Sequence, residues 1–267
     1  MKIGITIHAT DQAISPVDLA REAEARGFHS LYIPEHTHIP ISRRTPPPTG
    51  EEELPEEYSR SPDPYIALAA AASVTKTILL GTAVALPAQH DHITFAKQLA
   101  TLDVVSSGRL VLGIGYGWNH DEMENHGVDV KSRRQLVREN VLARQALWTN
   151  DVAEFHGDLL EMAPSWQWPK PVQQPRPPIL IGGGAGPKLF AHIAEYADGW
   201  MPIGGAGMRE AISRLREVMA ERGRDPDALR IAPMGVLPDE AKLAYYRETG
   251  ATEAILRPVS YTHLTLP

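Results

Sequence analysis

The sequence predicts a TIM-type (β/α)8 barrel, an α/β fold, for residues 1–259, and two observations support this prediction. Eight short apolar runs alternate with helix-forming segments along the 267 residues, which is the pattern of a parallel sheet covered by helices. The turn after the first run, residues 5–11, lacks the glycine fingerprint that opens a doubly wound sheet. An open doubly wound sheet is therefore the second choice.

The predicted strands are apolar runs rich in leucine and β-branched residues, bounded by glycine, proline or charged residues. Several of them end in glycines or in polar side chains, which matters for the position of a site. In chain order the strands cover residues 2–7, 31–35, 78–86, 110–117, 178–184, 199–203, 230–237 and 253–259.

Each of the first seven strands is followed by a segment with helical periodicity and recognisable ends. Ser15 and Pro16 supply an N-cap and a first-turn proline for the first helix, and Gly27 ends it. Ser61 and Pro62 begin the second helix in the same way. The predicted helices cover residues 15–27, 61–76, 91–107, 131–148, 187–197, 207–222 and 239–249.

Proline is concentrated in two segments that have neither helical nor strand periodicity. More than half of the 23 prolines lie in residues 40–64 and 164–178. We interpret the two segments as insertions after the second and fourth strands, because long ordered loops of this kind often carry function. A flexible linker is the alternative for residues 40–64. A hairpin over residues 154–162, with Gly157 in its turn, precedes the second segment.

Composition excludes several classes of site and partner. The chain has no cysteine, which rules out disulfides, thiolate metal sites and a cysteine nucleophile. Its net charge of −7 argues against broad electrostatic capture of nucleic acid. The longest apolar stretch, residues 78–88, is too short and too broken to span a bilayer, and no secretory signal is visible. We expect a cytoplasmic protein that binds neither nucleic acid nor membrane.

Catalytic groups of a barrel lie at the carboxyl ends of its strands. After the second strand, Glu35 and His36 provide a carboxylate and a histidine that can exchange protons near neutral pH, although a surface histidine at a loop start is the alternative. His36 and His38 are two residues apart, as are His90 and His92, so a metal site is a further alternative. No carboxylate cluster completes such a site, and no metal is expected.

Glycines mark two further strand ends. Gly113, Gly115 and Gly117 alternate along the fourth strand and remove side chains from one face, which suits a flat ring lying against the backbone. Residues 182–188 join the fifth strand to a helix, where backbone N–H groups and the helix N-terminus favour an anion such as phosphate. A tight turn without a ligand is the alternative interpretation of this loop.

Together these motifs resemble the bacterial luciferase-like monooxygenase family, and within it the branch of oxidoreductases that use the deazaflavin coenzyme F420. The resemblance covers residues 1 to about 259. The segments that carry it are Pro34-Glu35-His36, Gly81-Thr82-Ala83-Val84, Gly108-Arg109-Leu110, Gly113-Ile114-Gly115-Tyr116-Gly117-Trp118-Asn119, Pro178-Ile179-Leu180-Ile181-Gly182-Gly183 and Ala197-Asp198-Gly199-Trp200.

The resemblance implies a cofactor in the barrel mouth. It places Glu35 and His36 beside the reactive ring, with His36 as the proton donor or acceptor and Glu35 orienting it. It also implies a bulge on the third strand, often with a non-prolyl cis peptide, that backs the ring, and a cover over the substrate side formed by residues 36–60. The implied cofactor-binding residues are Thr82, Ala83, Val84, Gly115, Tyr116, Asn119, Gly182, Gly183, Gly184 and Gly186.

The function that the resemblance implies is hydride transfer between F420 and a small organic substrate that the sequence does not identify. An FMN-dependent monooxygenase of the same fold is the first alternative. The two cofactors imply different reactions, because a deazaflavin reacts poorly with oxygen whereas a monooxygenase uses reduced flavin and oxygen. A non-catalytic flavin-binding protein and a metal-dependent hydrolase are alternatives of other classes. The resemblance also implies a homodimer.

The end of the chain departs from the family pattern. Residues 260–267 follow the eighth strand and are too few for the final helix that the family carries. We expect that helix to be missing and this tail to be truncated or non-native.

Overall fold

The computed structural model describes residues 1–47 and 53–257. The predicted tail and the missing final helix therefore concern residues outside the described ranges. The strands in these ranges are β1 (Lys2–Thr6), β2 (Ser30–Ile33), β3 (Leu79–Ala85), β4 (Leu110–Ile114), β5 (Ala153–His156), β6 (Glu161–Ser165), β7 (Ile179–Gly182), β8 (Gly199–Met201), β9 (Arg230–Ile231), β10 (Met234–Val236) and β11 (Glu253–Leu256). The helices are α1 (Pro16–Ala25), α2 (Pro64–Val74), α3 (His92–Val105), α4 (His120–Asn125), α5 (Arg133–Thr149), α6 (Pro187–Tyr196), α7 (Met208–Glu221) and α8 (Glu240–Glu248).

Nine strands form one parallel sheet in the order β10-β11-β1-β2-β3-β4-β7-β8-β9. Its two edge strands, β9 and β10, are the halves of a single extended segment. The N–H of Ala232 donates to Trp200 O at 2.9 Å, and that of Met234 donates to Pro202 O at 2.8 Å. The sheet therefore closes on itself around one interior with eight strand positions, and the predicted barrel is confirmed.

The predicted strand over residues 230–237 is interrupted in the structure. Pro233 lies between β9 and β10 and has no N–H for the ladder. Gly235 has a positive φ of 71°, and the pairing of β10 with β11 shifts register between Met234 and Val236. Periodicity predicted the strand, but it could not show this break.

Helix starts are set by side chains of the loops that precede them. Ser15 Oγ accepts a hydrogen bond from Asp18 N at 3.1 Å at the start of α1, as predicted. Asp63 caps α2, which begins at Pro64 rather than at Pro62, and Asp91 caps α3. The sequence-based prediction missed α4, a helix of only 6 residues.

Two apolar clusters divide the core between the two faces of the barrel wall. The larger cluster lies between the sheet and the surrounding helices. The smaller one fills the interior with inward-facing strand residues, namely Tyr32, Ala83, Val111, Leu180, Met201, Ala232 and Ile255. Side chains alternate between the two faces of a strand, so every second residue counted from one of these faces the interior. We call these residues the interior series of the strand.

The first proline-rich insertion folds back across the carboxyl end of the barrel. Arg44 contacts Asp121 of α4 with Nε–Oδ1 at 3.0 Å, and Arg60 contacts Asp11 with Nη1–Oδ2 at 3.0 Å. A short 3-10 helix, Glu56–Arg60, ends at the second of these anchors. Within its described residues this segment is a packed loop rather than a linker, whereas residues 48–52 lie outside them.

The second insertion contains the predicted hairpin. Strands β5 and β6 pair antiparallel, and Gly157 N donates to Leu160 O at 2.9 Å across the turn. Residues 164–178 then return to β7 with cis peptide bonds before Pro169 and Pro175. None of the helices in the described ranges is both long enough and apolar enough to cross a membrane.

Candidate functional site

His36 lies in the mouth of the barrel, shortly after β2, with 7% of its side chain exposed. Its Nδ1 is 2.8 Å from Oε2 of Glu122, which α4 holds in a fully buried position. The other oxygen of Glu122 accepts a hydrogen bond from Thr37 N at 3.2 Å. An ionised carboxylate only accepts hydrogen bonds, so this network assigns the proton to Nδ1 and leaves Nε2 as the nitrogen that can exchange one.

Two rings, those of Tyr58 and Trp118, contact His36 in the mouth. The ring of Tyr58, on the 3-10 helix of the insertion, lies 5.3 Å from His36 and 4.7 Å from His8, which follows β1. Trp118 meets His36 edge-on at 5.7 Å. These rings restrict the access of water to His36, whose side chain is 7% exposed.

Glu35 does not orient His36, and that expectation is wrong. The side chain of Glu35 is buried, and its Oε2 accepts hydrogen bonds from Leu86 N at 2.6 Å and from Tyr65 Oη at 2.9 Å. Its Oε1 lies 2.6 Å from Nε2 of His90. The Glu35 carboxylate therefore fixes the chain beyond β3, whereas Glu122 orients His36.

Glu122 is not among the residues predicted from the sequence, although a local signal was present. Asn119 caps α4 by accepting a hydrogen bond from Glu122 N at 3.4 Å, and Asp121 and Glu122 fill the first turn. A capping residue followed by two acidic residues is a helix-start pattern. Interpreted as a helix start, residues 119–122 would have predicted a carboxylate at the mouth, just after the fourth strand.

The end of β3 has the bulge that the family resemblance implies. Pairing with β4 shifts register between Thr82 and Ala85, and the peptide bond between Ala83 and Val84 is cis. Thr82 is fully buried and donates its Oγ1 hydrogen to Gly113 O at 2.8 Å. A bulge of this kind turns a side chain to the other face of a strand, and here the neighbouring contacts show that Val84 faces the interior.

Val84 is flanked by two glycines of neighbouring strands. A Cβ atom on Gly115 would lie 2.7 Å from Val84 Cγ2, and one on Gly182 would lie 3.0 Å from Val84 Cγ1. The partly exposed Val84 side chain thus has bare backbone on both sides. This Val84 wall, formed by Val84, Gly115 and Gly182, presents a single side chain between two glycines and can support a flat ring.

Tyr116 and Asn119 contribute to the site less directly than the resemblance implies. Tyr116 Oη is 2.7 Å from Nδ1 of His192 on α6, and Arg134 stacks 4.4 Å above the Tyr116 ring. The Tyr116 side chain therefore points toward the outer helices. Asn119 is buried at the start of α4, and its Nδ2 has no hydrogen-bond partner among the described residues.

The glycine loop after β7 is open. Cβ atoms placed on Gly184 or Gly186 would meet no atom within 4 Å, and Gly183 has a positive φ of 141°. Trp200 Nε1 donates to Gly183 O at 2.9 Å, and α6 begins at Pro187. Backbone N–H groups at this helix start can therefore approach an anion without hindrance from side chains.

The histidine pairs separate into different environments. His90 bonds to Glu35, whereas His36 bonds to Glu122. His38 is exposed and lies 2.9 Å from Asn125 Nδ2. Across residues 1–47 and 53–257, no group of three His, Asp or Glu side chains is arranged to hold one metal ion.

Replacing Gly115 with alanine is expected to reduce the affinity for a ring cofactor at least about tenfold, because the new methyl group displaces Val84 from the wall. Fluorescence titration of the folded variant measures this loss. The double change Gly115→Ala with Val84→Ala should recover part of the affinity, since it removes the methyl groups that the new Cβ meets. Wild-type affinity in Gly115→Ala would contradict the assignment of the wall.

Comparison with known proteins adds to this geometry. The family of luciferase-like monooxygenases matches residues 3–238 of the chain. An uncharacterized protein of Mycobacterium tuberculosis is 44% identical over 258 residues, which are 96% of this chain and 91% of that protein. The F420-dependent glucose-6-phosphate dehydrogenase of Amycolatopsis mediterranei is 28% identical over 231 residues, which are 83% of this chain and 63% of that enzyme.

A solved structure gives the same fold. An F420-dependent secondary alcohol dehydrogenase, in complex with an F420–acetone adduct, superposes with a TM-score of 0.76 over 96% of this chain and 92% of that chain. At 19% identity this similarity concerns the fold alone. Further matched proteins are monooxygenases that use a flavin. The similar proteins thus include F420-dependent and flavin-dependent enzymes.

Proposed function

The chain belongs to the luciferase-like monooxygenase family, and on this premise we propose that it is an F420-dependent oxidoreductase acting on a small organic substrate. Members of this family are oxidoreductases and monooxygenases, which sets the general class. The finer assignment to F420 is supported by the 28% identical dehydrogenase, which aligns over 83% of this chain.

One observation supports the proposal most directly, namely that His36 lies in the same mouth as the Val84 wall. His36 is held by the buried Glu122 at 2.8 Å, and Val84 is bordered by Gly115 and Gly182. A bare wall can bind one face of a planar ring, and an oriented imidazole can serve a substrate on the other face. A redox cofactor and a proton-transferring side chain are the two parts that an alcohol or carbonyl oxidoreductase requires.

The residues of the mouth fit the cofactor. Val84, Gly115 and Gly182 would support the ring, because the glycines carry no side chains and the Val84 side chain packs between them as the surface of the wall. Gly183, Gly184 and Gly186 would bind the tail phosphate through backbone N–H groups at the start of α6. The buried and unpartnered Nδ2 of Asn119 is a further donor at the same edge of the barrel.

When bound, F420 supplies two-electron hydride chemistry. The part of the protein is to move the accompanying proton. With Nδ1 bonded to Glu122, Nε2 of neutral His36 accepts the hydroxyl proton of an alcohol, and protonated His36 returns it to a carbonyl oxygen in the reverse direction. Tyr58 and Trp118 exclude water from this proton transfer.

An FMN-dependent monooxygenase remains the second candidate, and the matches to flavin-dependent monooxygenases favour it. The two candidates differ in their use of oxygen. To test them, the protein is mixed anaerobically with reduced F420 and a panel of small aldehydes and ketones. We expect cofactor oxidation that depends on the carbonyl compound. Turnover that requires reduced FMN and oxygen would instead establish the second candidate.

A further inference from the structure

The mouth of the barrel is asymmetric in the side chains that it presents. The interior series on β3, β4 and β7 ends in Val84, Gly115 and Gly182, which form the Val84 wall. The strands on the other side, β11 and β1, are followed by the polar residues Arg257 and His8. One half of the mouth is therefore suited to a ring, and the other half presents groups that can recognise a polar substrate.

Arg257 belongs to the inward-facing series of β11. Glu253 and Ile255 face the interior, where Ile255 is fully buried among the interior cluster and Glu253 contacts Tyr32. Two residues further along, Arg257 continues the same series at the mouth, and its N–H donates to Val236 O at 2.8 Å. The Arg257 side chain is exposed and has no ion-pair partner in the described part of the chain.

His8 lies on the adjacent segment, beyond β1, and on the same face as Arg257. Strands β1 and β11 pair in parallel with Ile5 opposite Leu256, so Thr6 lies opposite Arg257 and His8 follows two residues further along toward the mouth. His8 Nδ1 is buried and has no hydrogen-bond partner within the described residues. Burial, and then the nearby charges of His36 and Arg257, lower the pKa of His8 to about 4, so this imidazole is neutral at pH 7.

An unpaired guanidinium beside an unsatisfied imidazole nitrogen is a combination suited to an oxyanion. The guanidinium offers paired N–H donors in a planar fork that matches carboxylate and phosphate oxygens. A neutral imidazole with its proton on Nδ1 adds one more donor. A buried polar atom without a partner is costly, and a bound anion would satisfy it.

We propose that Arg257 and His8 bind a carboxylate or phosphate group of the substrate, so that the enzyme acts on an anionic alcohol or carbonyl compound. This inference rests on the proposed function. The site is separate from the glycine loop, because β7 lies four positions from β1 around the eight-position barrel. An anion bound at Arg257 would hold the remainder of the substrate near His36, because the Tyr58 ring contacts both His8 and His36.

The test uses inorganic phosphate as the probe and protein saturated with F420, whose tail occupies the glycine loop. Calorimetric titration at constant ionic strength should show one phosphate site. Arg257→Gln should weaken it at least about tenfold, whereas Arg257→Lys, which keeps the charge but loses the fork, should weaken it less. Arg216→Gln changes an exposed arginine of α7 and should leave binding unchanged.

Equal phosphate affinity in wild-type protein and Arg257→Gln would overturn the proposal, as would the absence of phosphate binding after F420 saturation. Failure of F420 to bind would be a failure of the proposed function instead. In that case the protein without cofactor still gives a test, because the phosphate bound at Arg257 should be lost in Arg257→Gln whether or not the glycine loop binds a second one. An unchanged number of bound phosphate ions in Arg257→Gln would again contradict the site.

Discussion

Replacing His36 with alanine is expected to slow turnover about 100- to 10,000-fold, which is the usual contribution of a positioned proton-transfer group. The affinity for F420 should change little, because the ring is supported by Val84, Gly115 and Gly182 on another part of the mouth. Steady-state kinetics with reduced F420 measure the first quantity, and fluorescence titration measures the second.

His38→Ala is the matched control, since His38 lies two residues away but is exposed. This control should retain turnover near the wild-type rate. Glu122→Gln should give an intermediate loss, because the amide can still contact Nδ1 but no longer stabilises a protonated imidazole. Turnover by His36→Ala within a factor of a few of wild type would remove His36 from the proton-transfer role.

Replacing Glu35 with alanine is expected to lower the free energy of unfolding by about 3–5 kcal/mol, the cost of removing one partner from a buried charged network. The change leaves the buried N–H of Leu86 without its acceptor, and also removes the partner of Tyr65 Oη and His90 Nε2. Because Leu86 directly follows β3, cofactor affinity should fall as well. Urea denaturation and F420 titration measure the two effects.

Glu35→Gln separates the hydrogen bonds of this residue from its charge. The amide oxygen can still accept from Leu86 and Tyr65, and the amide N–H group can donate to His90 if His90 adopts its other tautomer. We therefore expect a loss of only about 1 kcal/mol. If Glu35→Gln and Glu35→Ala lowered the free energy of unfolding equally, the charge of Glu35, rather than its hydrogen bonds to Leu86 and Tyr65, would determine its contribution to stability.

The sequence was sufficient to predict the barrel and the strand ends that form the mouth. It also indicated that Gly113 and Gly115 leave one face of the fourth strand without side chains. It misassigned the partner of His36 for a geometric reason. Adjacent residues on an extended chain point in opposite directions, so Glu35 and His36 cannot face the same group. The actual partner, Glu122, is distant in sequence and is positioned by α4, a helix too short to produce a periodic pattern.

Other parts of the site depended on tertiary structure. Alternation along β3 alone would place Val84 on the opposite face from Ala83, and only the register shift against β4 turns it toward Gly115 and Gly182. Tyr58 reaches His8 because the proline-rich insertion folds back, which composition cannot specify. Arg257, in contrast, could have been found by extending the alternation of Glu253 and Ile255 by one step.

We expect this mouth to bind F420 in preference to FMN. This expectation is tested most directly by titrating the purified protein with each cofactor, under the same conditions, while following fluorescence. F420 should bind saturably and at least about tenfold more tightly than FMN, and its binding should be weaker in Gly115→Ala. Tight binding of FMN with no binding of F420 would contradict it.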